Sequence, residues 1–121
     1  EPFIKTFTVE IKKGYNRHTI ADLLDKPKGA ARQLYEKWIE EVEKKHKIAK
    51  SLCWLLITKR DRRQPLVFCP YEIATMLGSF KCRCLLDLWY PTWSMSVCCT
   101  SLNEWMEEVH PDDVRALAKG G

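Results

Sequence analysis

A carboxylate and an ammonium, those of Glu10 and Lys12, stand two positions apart in a segment that alternates between apolar and polar residues. Residues with this spacing on a β-strand project from one face, with their Cα atoms roughly 6–7 Å apart. A carboxylate in that position can bind Mg²⁺ or Mn²⁺, which prefer oxygen ligands. The neighbouring ammonium can orient a water nucleophile or stabilise charge that develops on a phosphate. The pair therefore suits metal-dependent cleavage of phosphodiester bonds, which needs at least one further carboxylate.

The element that must position this pair is a strand predicted over residues 3–12. Its other face carries Phe7, Val9 and Ile11, because side chains alternate along a strand. Charges at alternate positions are also typical of the solvated face of an edge strand. The Glu-x-Lys tripeptide alone does not distinguish that interpretation from a catalytic one.

The neighbouring elements are predicted in the order helix, strand, strand. Apolar residues with helical spacing indicate a helix from residue 30 to about residue 47. A continuous apolar run over 52–58 predicts a strand that is buried on both faces. A charged turn follows, and the strand 66–69 is expected to pair with its predecessor as a hairpin.

The last third of the chain predicts shorter mixed elements. Ser101 and Glu104 have the spacing of a capping box, which opens a helix through Val109. The other expectations, in chain order, are a helix over 71–77, an ambiguous segment over 81–89, a strand over 93–99 and a final helix over 111–119.

Three segments taken together resemble the PD-(D/E)XK nuclease superfamily, and most nearly its phage and archaeal Holliday-junction-resolvase-like members. They are residues 7–15 (FTVEIKKGY), a helix containing Trp38 and Glu41, and residues 54–68 (WLLITKRDRRQPLVF). The resemblance covers about residues 3–69. It implies an α/β, restriction-endonuclease-like fold, with a mixed central sheet flanked by helices. At 121 residues the chain is expected to be one domain, with no family assignment from Pro70 onwards.

The resemblance also implies roles for particular residues. Glu10 would be a metal ligand, Lys12 the catalytic lysine, and the backbone carbonyl of Ile11 an additional ligand to Mg²⁺ or Mn²⁺. Such nucleases use a further aspartate on a preceding strand, whereas Glu1 is the only acidic residue before the strand here. Either the piece that carries this aspartate is absent, so that the nuclease core is N-terminally incomplete in this chain, or the chain as it stands is not a competent nuclease.

Other titratable residues offer weaker candidates. Asp22 and Asp25 follow the strand and could supply the further carboxylate, although Asp22 also fits the start of a helical turn. His18 and His110 could act as metal ligands or general bases. Histidines that stand alone in polar connections are more often surface residues.

Two basic stretches flank the predicted site and suit contact with nucleic-acid phosphates, in a chain of net charge +4. The second stretch also fits a solvated turn between two buried strands. The residues predicted to bind DNA are Lys13, Arg17, Lys59, Arg60, Arg62 and Arg63.

These observations favour a divalent-metal-dependent DNA endonuclease, with branched DNA as one candidate substrate. The alternative is a nucleic-acid-binding or assembly module that keeps the nuclease scaffold without cleaving. The resemblance further implies a homodimer, since resolvase-like members pair two sites to cut two strands. Neither hypothesis requires a small-molecule cofactor or a membrane.

The six cysteines raise a third hypothesis. No Cys-x-x-Cys pair occurs, and Cys53 and Cys69 lie in apolar runs, where free cysteine behaves as a small hydrophobe. Reduced thiols and a cytoplasmic location are therefore expected. The competing possibility is a small zinc-binding domain that uses Cys82, Cys84, Cys98 and Cys99.

Overall fold

The computed structural model describes residues 7–14, 34–77, 80, 83–89 and 94–120. Predictions that concern Arg17, His18, Asp22, Asp25 and Cys82 lie outside these residues. None of the described helices is long and apolar enough to cross a membrane.

The described residues form a five-stranded mixed sheet with helices, which establishes the α/β class. The strand order is β1-β2-β3-β5-β4, with β1 and β2 parallel and the other neighbours antiparallel. In chain order the elements are β1 (Phe7–Lys13), α1 (Leu34–Ala49), β2 (Cys53–Lys59), β3 (Leu66–Pro70), α2 (Tyr71–Met76), β4 (Cys84–Trp89), β5 (Ser94–Ser101), α3 (Leu102–Glu108) and α4 (Pro111–Gly120).

The crossover from β1 to β2 matters most for the site. Parallel neighbours cannot be joined by a tight turn, and α1 lies in the connection between these two strands. The register sets Glu10 opposite Leu56 and Lys12 opposite Thr58. Gly14, at φ +82°, donates its N–H to the carbonyl of Lys59 at 3.0 Å. The C-terminal ends of both strands consequently meet at one edge of the sheet.

The prediction that β2 is buried on both faces is confirmed, because a hydrophobic cluster packs on each side of it. On one face Trp54 and Leu56 pack with residues of α1. On the other face Cys53 and Leu55 belong to a cluster that includes Trp105 of α3. The predicted hairpin of β2 and β3 is confirmed as an antiparallel pair.

Strand β1 is covered unevenly on its apolar face. Phe7 is buried against the Trp105 ring, with 6.2 Å between ring centroids. Val9 and Ile11, further along the same face, are 45% and 57% exposed. The helical layer on this side of the sheet thus reaches Phe7 and leaves the rest of the apolar face in contact with solvent.

The C-terminal elements follow local signals. The predicted helix start at Ser101 is confirmed, because the Ser101 hydroxyl caps the helix by accepting the Glu104 N–H at 3.2 Å and also donates to the Glu104 carboxylate at 2.9 Å. The ambiguous segment is the outer strand β4, in which Leu86 and Leu88 are buried while Leu85 is 50% exposed. Because Leu85 and Leu86 are adjacent apolar residues, the sequence does not show the alternation of apolar and polar residues that is typical of a half-buried strand.

Candidate active site

Glu10 and Lys12 lie side by side on the face of β1 that is covered by α1. Their side chains are each 21% exposed, and the Lys12 Nζ lies 3.6 Å from a Glu10 carboxylate oxygen. Phe7 packs on the opposite face of the strand. The structure therefore places the two side chains together, with the ammonium close enough to share a substrate with the carboxylate.

Helix α1 adds two charged residues that sequence reasoning did not assign to the site. The Lys45 Nζ lies 3.1 Å from the carboxylate oxygens of both Glu10 and Glu41. The Lys12 Nζ lies 3.5 Å from Glu41. We call Glu10, Lys12, Glu41 and Lys45 the charge network. The four-residue spacing of Glu41 and Lys45 was visible as a helical ion pair, but their approach to β1 depends on how α1 packs.

The charge network shifts the pKa values of its helical members. The hydrogen bond from Lys45, helped by the charge of Lys12, lowers the pKa of Glu41 against the opposing effect of partial burial. Hydrogen bonds to Glu10 and then to Glu41 raise the pKa of Lys45. The stabilisation linked to Glu41 is lost as pH falls through its lowered folded pKa, and that linked to Lys45 is lost as pH rises through its raised one. Both groups are therefore charged near neutral pH.

A second group of charges, which we call the basic edge, lies where β1 and β2 end. It consists of Lys13, Lys59, Arg60, Arg62 and Arg63, all predicted to bind nucleic acid. The Lys59 side chain folds back onto the turn that follows β2, where its Nζ donates to the carbonyls of Arg60 at 3.0 Å and Arg63 at 2.7 Å. Its ammonium therefore supports the turn, which includes Arg62 at a φ of +60°.

The three arginines of the basic edge differ from Lys59. Within the described part of the chain, no hydrogen bond or ion pair engages their guanidinium groups. Arg60 and Arg63 line a cavity of about 190 Å³ together with Tyr35, Thr58 and Gln64. Guanidinium groups beside hydroxyl and amide groups suit the oxygens of a phosphate.

The other candidate ligands that the structure describes do not converge. Among the described residues, no three metal-binding side chains of the His, Cys, Asp or Glu types lie close enough to hold an ion. Cys98 and Cys99 are buried in clusters on opposite faces of the sheet, so one zinc ion cannot take both from the strand. Burial raises the pKa of Cys53 to about 12. His110 is exposed, and its Nδ1 accepts the N–H of Asp112 at 3.2 Å.

A larger cavity lies elsewhere, at the N-terminal end of β2. It has a volume of about 640 Å³, and its lining includes Glu43, His46, Trp54 and Asp87. The Trp54 Nε1–H donates to the Glu43 carboxylate at 2.5 Å. Neither member of the predicted catalytic pair lines this cavity, so it is separate from the charge network.

No protein-family model matches the chain, and no curated protein or solved structure is significantly similar to it. The described part of the chain defines an α/β architecture with a five-stranded mixed sheet. The resemblance to PD-(D/E)XK nucleases remains a prediction from the sequence.

Proposed function

We propose that the chain carries a divalent-metal-dependent DNA endonuclease site on a restriction-endonuclease-like core. The observation that carries this proposal is the placement of Glu10 and Lys12, 3.6 Å apart, on a strand that ends at the basic edge. One side of the arrangement offers oxygen ligands and an ammonium, and the other offers cations for a DNA backbone. Phosphodiester cleavage needs both parts.

The donor set suits a hard cation. Glu10 would supply carboxylate oxygens and the Ile11 carbonyl a further oxygen, while Mg²⁺ usually keeps several waters and binds substrate phosphates as well. When bound, such an ion polarises a phosphate oxygen and lowers the pKa of a bound water. Lys12 would hold the water nucleophile or a phosphate oxygen through its ammonium. The chain's own share of the chemistry is therefore positioning and charge stabilisation.

The basic edge would supply most of the DNA affinity. Arginine and lysine side chains that neutralise phosphates release counterions, and this term is independent of DNA sequence. Arg60 and Arg63 line a common cavity, so they could hold one phosphate while a neighbouring phosphodiester reaches Lys12. Such contacts position the backbone and leave the choice of DNA structure to other features.

One observation favours a second candidate, a nucleic-acid-binding module that does not cleave. Both lysines of the charge network lie within 3.6 Å of Glu10 carboxylate oxygens, so the carboxylate is already neutralised without a metal. In that case the basic edge would bind DNA and the charge network would only fasten α1 to β1.

Replacing Lys12 with Met tests the proposal against this second candidate. We expect single-turnover cleavage of a four-way DNA junction in Mn²⁺ to slow by roughly 10²–10³-fold, because one preorganised donor is removed. The dissociation constant for DNA should change by no more than about threefold, since one phosphate contact at most is removed. Lys44→Met is the matched control, because Lys44 is 73% exposed and pairs with Glu40 on the same helix. Equal cleavage rates for the two variants would contradict the catalytic role of Lys12.

A triple substitution tests the basic edge. Changing Arg60, Arg62 and Arg63 to Ala should weaken binding to every DNA sequence by a similar factor. The slope of log affinity against log salt should shrink by up to ~0.9 for each duplex phosphate that the protein no longer neutralises. Fluorescence anisotropy between low and moderate salt measures this slope. An unchanged slope would show that the turn is only a solvated connection, while the melting temperature, expected to change little, checks the fold.

A further inference from the structure

The position of Lys45 in the charge network suggests where a metal ion would bind. Its ammonium lies 3.1 Å from an oxygen of Glu10 on β1 and 3.1 Å from an oxygen of Glu41 on α1. The two carboxylate oxygens are therefore separated by at most twice that distance. One cation thus stands between carboxylates that two different elements contribute.

We propose that Glu10 and Glu41 together bind the divalent cation, and that Lys45 holds the same position when the metal is absent. The metal's role in cleavage rests on the proposed function, but the binding site itself does not. Glu41 thereby supplies the further carboxylate that phosphodiester cleavage needs. It comes from the helix after the Glu-x-Lys strand, so the site needs no carboxylate from a preceding strand.

Exposure indicates which lysine leaves the network. The Lys45 side chain is 47% exposed, whereas that of Lys12 is 21% exposed. Lys45 can swing into solvent at little cost because nearly half of its side chain is already in contact with water. Lys12 is held closer to the strand and stays beside Glu10. Glu41, at 43% exposure, can close on an ion at the roughly 2.0–2.1 Å that Mg²⁺ requires.

Replacement of the Lys45 ammonium by a divalent ion would change the net charge of the network and therefore its attraction for a phosphate. Two carboxylates and two ammonium groups make the charge network neutral. A divalent ion in place of Lys45 would leave the remaining three side chains and the ion with a net positive charge. The metal-bound state should therefore attract a phosphate more strongly than the metal-free state does.

Mn²⁺ binding to the chain in the absence of DNA tests this exchange. Electron paramagnetic resonance of free Mn²⁺ reports binding directly, without any cleavage. Lys45→Met should tighten Mn²⁺ binding by about three- to tenfold, because the competing ammonium is gone. Lys44→Met removes the same charge from the neighbouring position and should shift the affinity by less than about twofold. Glu41→Gln should weaken binding at least about tenfold, alone and in the Lys45→Met background.

Circular dichroism and melting temperature would verify that each variant is folded. The inference is overturned if Lys45→Met and Lys44→Met bind Mn²⁺ equally, if Glu41→Gln binds as the parent does, or if no variant binds Mn²⁺. The outcome is separable from that for the proposed function. If the variants bind Mn²⁺ with the expected affinities but the protein does not cleave DNA, the proposed metal site would be supported and the proposed nuclease function would be refuted. If cleavage depends on Glu10 but Glu41→Gln keeps full Mn²⁺ affinity, the nuclease would be supported and the two-glutamate metal site would be refuted.

Discussion

Glu10→Gln is expected to lower metal-dependent DNA cleavage by about a thousandfold while DNA affinity stays within about threefold. The amide keeps the shape of the side chain but removes the negative charge that would hold the ion. Affinity survives because it depends mainly on the basic edge, which this substitution does not touch. Cleavage of labelled duplex and four-way junction DNA in Mn²⁺, measured beside anisotropy with the same DNA, gives both quantities.

A matched control for Glu10→Gln is Glu40→Gln, because Glu40 lies on α1 and pairs with Lys44 outside the charge network. This variant should cleave at the parent's rate. Glu10→Gln should also remain folded, since partly exposed ion pairs contribute about 1 kcal/mol or less. A Glu10→Gln protein that cleaves as fast as Glu40→Gln would remove Glu10 from the chemistry.

Trp54→Ala should have the largest effect on stability, a decrease of roughly 3–5 kcal/mol in the free energy of unfolding. Trp54 is fully buried between β2 and α1, and its indole donates to Glu43 at 2.5 Å. Truncation would open a cavity and leave the Glu43 carboxylate without that donor. Because a domain of this size is stabilised by only about 5–15 kcal/mol, urea denaturation should show a much lower midpoint.

Two companion variants sharpen the Trp54 measurement. Trp54→Phe keeps most of the ring volume and removes the indole N–H, so it should retain a larger part of the stability than Trp54→Ala. Met106→Ala changes a large side chain that is 66% exposed and should alter stability by no more than about 0.5 kcal/mol. If Trp54→Ala and Met106→Ala were equally stable, the packing of α1 on β2 described above would be wrong.

The parts of the fold that the sequence predicted are those with local causes. The apolar run of β2 is flanked by charged residues, and its burial on both faces follows from composition alone. The Ser101 and Glu104 spacing located the start of α3 because the hydrogen bond that caps a helix forms within one helical turn. The face shared by Glu10 and Lys12 followed from strand alternation.

What the sequence did not predict depends on contacts between distant elements. Lys45 reaches Glu10 only because α1 packs across β1, and nothing in the helix's own pattern specifies that partner. The Lys59 ammonium donates to two carbonyls of its own turn, an arrangement that the charged sequence of the turn did not indicate. The placement of β5 between β3 and β4 likewise depends on tertiary contacts and not on local sequence patterns. Local patterns set which residues are polar, but not which groups they meet.

Relaxation of supercoiled plasmid DNA by the purified chain tests whether the proposed site of Glu10 and Lys12 supports metal-dependent phosphodiester cleavage. The measurement compares Mg²⁺, Mn²⁺ and excess EDTA at a protein concentration at which anisotropy shows the DNA to be bound. We expect conversion to open-circular plasmid with either metal, none in EDTA, and recovery when excess Mn²⁺ is added back. Plasmid that stays supercoiled in both metals while fully bound, or that is nicked equally in EDTA, would contradict it.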